Sequence, residues 1–135
     1  MNLHQELPEG RGVLLSKNLS QHKILANRLA ISFLDHVRIL NLEEIQYLES
    51  KGNYTLVHFK NGNFLMACLS LKTFEHALPK DQFIRIHRSY IVRLDNICRY
   101  NHNFSIVLSN EKKLPVSRSR HYLLLEFIKQ LIIKN

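Results

Sequence analysis

A chain of 135 residues with a formal charge of +8, a pI near 9.7 and a hydrophobic fraction of 45% fits one folded domain with at most a short extension. The apolar fraction excludes a disordered basic tail, and the surplus of cations calls for an acidic partner, most often a phosphate backbone. No apolar run reaches the roughly 18 residues that a membrane span needs, and the first residues lack a signal peptide's apolar core, so a cytoplasmic protein is expected; an anionic membrane surface stays open.

Residues 1–28 contain Pro8, Gly10 and Gly12, a short apolar run Val13-Leu14-Leu15 and a helical patch over Ser20–Leu29. They read as an N-terminal extension, with the domain proper over 29–135. From Leu29 short runs alternate apolar and polar residues, which predicts strands carrying Ile31 and Phe33, then Val37 and Ile39, then Ile45 and Tyr47. Leu42-Glu43-Glu44 interrupts the second and third. Tyr54–Phe59 and Phe64–Cys68 flank Lys60-Asn61-Gly62-Asn63, a hairpin in which Asn-Gly supplies positive φ angles.

Ser70 is placed to cap a short helix through Leu78, ended by Pro79. Further strands are predicted over 83–86, 90–92, 97–100, 105–108 and 113–116. A closing helix from about Arg118 to Ile132 puts Leu124, Phe127, Ile128 and Leu131 on one stripe. Cys68 and Cys98 lack metal-ligand spacing, so two buried thiols are expected and no metal site.

The charge is uneven: residues 1–80 hold nine Lys/Arg against seven Asp/Glu, and 81–135 hold ten against four. Three segments suit a nucleic acid. In Glu49–Tyr54, Gly52 permits a bend that projects Lys51, Asn53 and Tyr54; asparagine pairs with adenine and lysine reaches guanine or phosphate, although an ordinary solvated turn has the same composition. In Arg85–Arg93, with no acid between Asp81 and Asp95, Arg88 has the planar fork that suits phosphate or guanine, while His87 and Tyr90 read as structural. In Val116–Arg120, Ser117 would cap the closing helix, whose free amides together with Arg118 and Arg120 would receive a phosphate.

An enzyme needs a nucleophile, a base and a group to orient them, and no such set stands at a recognisable spacing, so no catalysis is expected. His87 has cationic neighbours and no carboxylate beside it in sequence.

Taken in order, Ile45–Tyr54, Phe83–Val92 and Leu114–Arg118, with Leu69-Ser70-Leu71 and Leu78-Pro79 between the first two, resemble the LytTR family of bacterial DNA-binding domains over about Leu29 to Ile132. The resemblance implies a mainly β, elongated domain of short strands and hairpins in small sheets, with short helices and a C-terminal helix. It further implies loops entering successive major grooves of promoter DNA. Carried across, the base-reading positions are Asn53/Tyr54, Arg88 and Arg118, and the backbone contacts are Lys51, Arg85 and Arg120. Two residues depart from the family pattern: Arg93 stands where Asn is common, and Glu111 where a turn glycine is usual.

The expectation is therefore sequence-specific binding of double-stranded promoter DNA in transcription regulation, as two copies on tandem half-sites, with a homodimer open. No cofactor, membrane or small-molecule substrate is expected. The alternative is a protein-interaction module whose basic face docks an acidic partner, as an anti-activator of a related regulator. Only about 28 residues precede the match, too few for the input module most relatives carry, so a stand-alone regulator and a fragment of a longer one both stay open.

Overall fold

In the computed structural model, residues 27–134 are described; the run Val13–Leu15 lies outside them, as does most of the patch over Ser20–Leu29, whose last residues Arg28 and Leu29 belong to a strand. The chain divides into two compact units, one ending at Leu42 and one beginning at Glu43.

The described part of the first unit is an antiparallel hairpin of β1 (Arg28–Ser32) and β2 (Val37–Asn41). Its turn is closed by the Phe33 N–H donating to the His36 carbonyl at 2.8 Å. The register pairs Leu29 with Leu40 and Ile31 with Arg38, so Ile31 and Leu40 share a face and are the buried residues. Val37 and Ile39, expected inside by alternation, fall on the opposite face with Ser32 and Ala30 and are exposed. The pairing register decides which face of a strand is covered, and a shift of one residue inverts it.

After a 3-10 turn at Leu42–Glu44, the second unit runs through β3 (Ile45–Lys51), β4 (Tyr54–Phe59), β5 (Phe64–Ala67), α1 (Leu71–Ala77), β6 (Phe83–His87) and β7 (Tyr90–Arg93). These strands form one antiparallel sheet in the order β5-β4-β3-β7-β6. After a second 3-10 turn, β8 (Ile97–Asn101), β9 (Ser105–Leu108) and β10 (Lys113–Pro115) make a three-stranded sheet, and α2 (His121–Lys129) closes the chain. This is the mainly β architecture with short helices that the resemblance implied.

Alternation gives the five-stranded sheet two apolar faces. On one, α1 lies against β3 and β7 with Leu71 and Phe74 buried. On the other, Tyr47, Ile86 and Val92 join Ile106, Leu108, Leu114, Val116 and Leu124 in a single core. Side-chain amides fix how the two sheets meet: buried Asn96 Nδ2 donates to the carbonyls of Ile45 at 3.3 Å and Gln46 at 3.4 Å, and the buried Gln46 Oε1 accepts from Asn110 Nδ2 at 3.1 Å. Buried polar groups that find partners in this way specify one arrangement over its neighbours.

The β4–β5 hairpin and α1 stand where sequence put them. Ser70 Oγ accepts from the Thr73 N–H, and Leu78 is the C-cap. The hairpin turn differs in one respect: it is a four-residue loop in which Gly62 alone is left-handed, at φ 91, while Asn61 turns the chain by accepting the Asn63 N–H on its side chain.

Two expectations are corrected. Cys68 and Cys98 are exposed free thiols rather than buried ones. Ala67 takes the inward position at the end of β5, so the next residue points out, and an irregular register between Ile97 and Arg99 turns Cys98 outward in β8. The closing helix is also shorter than its apolar stripe, running from His121 to Lys129, with Leu131, Ile132 and Ile133 beyond its end and exposed.

Candidate nucleic-acid interface

Three turns meet at one end of the five-stranded sheet. β3 and β4 are joined by Gly52 and Asn53, with Lys51 paired to Tyr54. Gly52 has φ 61 at the first central position of a two-residue loop, the place that a type II′ hairpin turn gives to glycine. Nothing lies within 4 Å of a Cβ built there, so backbone conformation and not space selects glycine. Lys51, Asn53 and Tyr54 are all exposed.

The β6–β7 turn, carrying Arg88 and Ser89, lies beside it, because the Ser50 N–H donates to the Ser89 carbonyl at 2.9 Å. The third segment is tied to the second by the Ser117 N–H donating to the Ile86 carbonyl at 2.8 Å, and the Val116 N–H donates to the Phe104 carbonyl at 2.9 Å. Segments distant in sequence are thereby fixed by main-chain bonds, which leaves Arg88 and Arg118 exposed on a braced backbone.

The third segment is not the helix start that sequence suggested. Ser117 precedes α2 by four residues, and Arg120 occupies the N-cap with no side-chain cap bond. The amides of Arg120 and His121 donate to the Ser117 carbonyl, and that of Leu123 to the Arg120 carbonyl. Those N–H groups are consumed within the chain and make no phosphate cradle.

Arg118 instead lies over the Phe104 ring, Cζ to centroid 5.1 Å. The other edge of this arrangement is His121, edge-on to the same ring at 4.8 Å. Phe104 has φ 62, a left-handed conformation that costs a non-glycine residue about 1–2 kcal/mol, and it sits in the β8–β9 turn. Nothing in the sequence marked it beyond a His-Asn turn before it.

Arg85 and Arg120, expected as backbone contacts, are engaged internally. Arg85, with its side chain 14% exposed, donates through Nη1 to Glu75 Oε1 at 2.9 Å, through Nη2 to the Arg88 carbonyl at 2.6 Å, and through Nε to the His87 carbonyl at 3.3 Å. Arg120 Nη1 stands 3.6 Å from Glu75 Oε2. Partial burial raises the Glu75 carboxyl, but the hydrogen bond and charge of Arg85, then the charges of Arg120 and Lys80, outweigh it and hold the group below its ordinary range.

His87 is braced too: its Nδ1 accepts the Ser89 N–H at 3.1 Å and its ring lies 5.7 Å from that of Tyr90. Burial, then the charges of Arg88, Arg120 and Arg85, push the imidazole below its usual pKa. Tyr90 packs against the core and toward Tyr47 at 6.2 Å. Tyr47 stacks on His58 at 4.2 Å, and its phenol is pushed up to about 12 by burial, then by Glu49 and Tyr90. Glu49 takes His58 Nε2 at 3.0 Å and Lys51 Nζ at 3.5 Å, so the Lys51 ammonium rests beside a carboxylate while 58% of its side chain stays exposed.

Both departures from the family pattern have local accounts. Arg93 is buried; its Nε donates to Asp95 at 2.9 Å, its Nη1 to Gln82 at 3.0 Å, and its Cζ lies 5.5 Å from the Phe83 ring centroid. Glu111 takes the glycine's conformation at φ 70. Among the described residues no group of three or more His, Cys, Asp or Glu is placed to hold a metal, and no helix is long and apolar enough to cross a membrane.

A small antiparallel β domain with three polar turns converging at one sheet end, two exposed arginines among them, is the class of a nucleic-acid-binding domain. The family model of the LytTr DNA-binding domain matches residues 35–129, and the chain belongs to that family. It is similar to a solved LytTr DNA-binding domain of a methyl-accepting/DNA response regulator from Bacillus cereus, with a TM-score of 0.63 and 27% identity, covering 76% of this chain and 96% of that one. Among curated proteins it is 25% identical over 115 residues to the sensory transduction protein LytT of Oceanobacillus iheyensis, covering 81% of this chain and 46% of that protein. It is 28% identical over 95 residues to the transcriptional regulatory protein LytR of Staphylococcus aureus strain N315, covering 67% of this chain and 38% of that protein. A shorter match of 45% over 51 residues joins it to the CO-responsive transcriptional regulator RcoM of Rhodospirillum rubrum, covering 38% of this chain and 21% of that protein. The chain thus spans less than half the length of these curated relatives.

Proposed function

We propose that this chain binds double-stranded promoter DNA in a sequence-specific manner to regulate transcription, with 29–135 as the DNA-binding domain, 1–28 as an extension, and no catalysis. The supporting observation is the convergence of the turns bearing Asn53/Tyr54, Arg88 and Arg118 at one end of the sheet through the Ser50–Ser89 and Ser117–Ile86 main-chain bonds. Arg88 and Arg118 read base edges, the Asn53/Tyr54 loop enters the groove, and Lys51 contacts phosphate. Two copies occupy tandem half-sites on successive major grooves.

Selection of bound duplexes from a random pool, followed by titration against salt, tests this. A recurring repeated site is expected, with log affinity falling linearly in log salt by about 0.9 per phosphate neutralised. If no sequence is enriched and an acidic protein binds in its place, the interaction-module alternative takes over.

A further inference from the structure

Glu75 is an acid set among cations at an interface that would bind a polyanion. On charge alone it should weaken DNA binding. Its geometry gives it another task. It projects from α1, which is anchored by buried Leu71 and Phe74. One carboxylate oxygen holds Arg85 at 2.9 Å and the other faces Arg120 at 3.6 Å. Arg85 in turn grips the carbonyls of His87 and Arg88, the two peptide groups from which the Arg88 side chain departs. Arg120 stands two residues beyond Arg118, in the turn whose Ser117 amide is bonded to Ile86.

One carboxylate therefore joins the supports of both exposed arginines. All three donor nitrogens of Arg85 are directed inward, and its side chain is 14% exposed, so it is poorly placed as the phosphate contact that sequence suggested. Base reading requires donors held to within about 0.5 Å of their target geometry, and a braced backbone is the first condition for that in a side chain as long as arginine.

We infer that Glu75 is a positioning residue, which through Arg85 and Arg120 holds the Arg88 and Arg118 segments in register with each other and thereby sets base selectivity. This rests on the DNA-binding reading for its consequence, though not for its geometry. Removing Glu75 lets the two arginines repel each other, frees the Arg88 turn and blurs both readers at once, while non-specific attraction to phosphate is kept or increased.

The test uses Glu75→Ala and Arg85→Lys in the full chain, with Glu126→Ala as a control that removes the same charge from an exposed site on α2, where the side chain is 70% exposed. Pool-selected and unrelated duplexes are titrated, melting is recorded, and amide hydrogen exchange is followed at Ser50 and Ser117. Glu75→Ala is expected to lower the ratio of cognate to non-specific affinity roughly tenfold, about the value of one mismatched base pair, to degrade the selected site at two separate positions, and to speed exchange at both amides. Arg85→Lys keeps the charge but cannot grip two carbonyls, so it degrades only the position read by Arg88. Glu126→Ala tightens both kinds of duplex alike.

Uniform tightening by Glu75→Ala, as in the control, with unchanged amide exchange, would overturn the inference. Should Glu75→Ala fail to melt cooperatively, Arg85→Lys decides: unchanged selectivity and exchange at Ser50 also overturn it. A wild-type chain that selects no DNA sequence would refute the sequence-specific reading, while the exchange measurements still decide the role of Glu75.

Discussion

Phe104 holds the Arg118 guanidinium over its ring at 5.1 Å from a backbone at φ 62. A strained residue persists where its surroundings over-determine it, and such residues gather at functional sites. Here the surroundings are the Val116 N–H bonded to the Phe104 carbonyl and His121 packed on the ring edge. A cation over an aromatic face at an exposed position contributes about 0.5–1 kcal/mol. It also keeps a long side chain from sampling the solvent before DNA arrives.

Phe104→Leu is accordingly expected to weaken cognate DNA about two- to fivefold, the equivalent of that cation–π energy. Arg118→Ala should lose about 1–3 kcal/mol and relax preference at one base position. If Phe104 acts by orienting Arg118, the double variant binds no more weakly than Arg118→Ala alone. Additive losses in titrations of the three variants would show that Phe104 acts elsewhere.

Arg88 and Lys51 should separate reading from attraction. Arg88 stands exposed on a turn fixed at both flanks, and Arg88→Ala is expected to cost about 1–3 kcal/mol on the cognate site while leaving unrelated duplexes less affected. Lys51→Ala should weaken every duplex by a similar factor and reduce the salt slope by about one phosphate's worth. Pool selection repeated on each variant checks the assignment: a site unchanged with Arg88→Ala but altered with Lys51→Ala would exchange the two roles.

Local patterns carried much of this structure in the sequence. The Tyr54–Phe59 and Phe64–Ala67 hairpin, the Ser70 cap and the strand from Ser105 to Leu108 follow from a turn glycine between apolar runs, a capping hydroxyl and a short apolar run bounded by polar turns, each confined to a few neighbouring residues. Less legible were features that depend on pairing at a distance. The exposure of Val37 and Ile39 follows from the β1–β2 register, and the consumption of Arg85 follows from Glu75, ten residues away on another element. A basic run looks the same in sequence whether its arginines reach outward or clamp their own turn. Arg93 makes the same point, since its charge ends against Asp95 and Gln82 instead of on the surface.

The second turn should respond to pH through His87. Its pKa lies below the usual histidine value of 6.5, first through burial and then through Arg88, Arg120 and Arg85. A histidine depressed in the folded state gives stability that is fully present above its unfolded pKa and is lost as pH falls through the folded one. Protonation would also occupy the Nδ1 lone pair that accepts the Ser89 N–H. Melting temperature is therefore expected to fall below pH 6.5 more steeply for the wild type than for His87→Gln, and an NMR titration should place the His87 midpoint below 6.5. A midpoint at or above that value would refute the assignment.

The β9–β10 turn offers a test in the opposite direction, a gain of stability. Glu111 has φ 70, and its N–H donates to the Leu108 carbonyl at 2.9 Å while the Leu108 N–H donates to the Lys112 carbonyl at 2.8 Å. Asn110 Oδ1 accepts the Lys112 N–H at 3.1 Å, so the turn's own bonds hold the backbone left-handed whatever side chain occupies position 111. The exposed Glu111 side chain bears the full steric cost, about 1–2 kcal/mol. Glycine removes that cost and gives back part of it, about 0.4–1 kcal/mol, as extra freedom in the unfolded chain. Glu111→Gly should therefore stabilise the domain by up to about 1 kcal/mol, read as a higher midpoint in urea at unchanged slope. Glu111→Ala, which keeps a Cβ and removes only the charge, should leave the midpoint nearly where it was; an equal gain from both variants would trace the effect to charge rather than to φ.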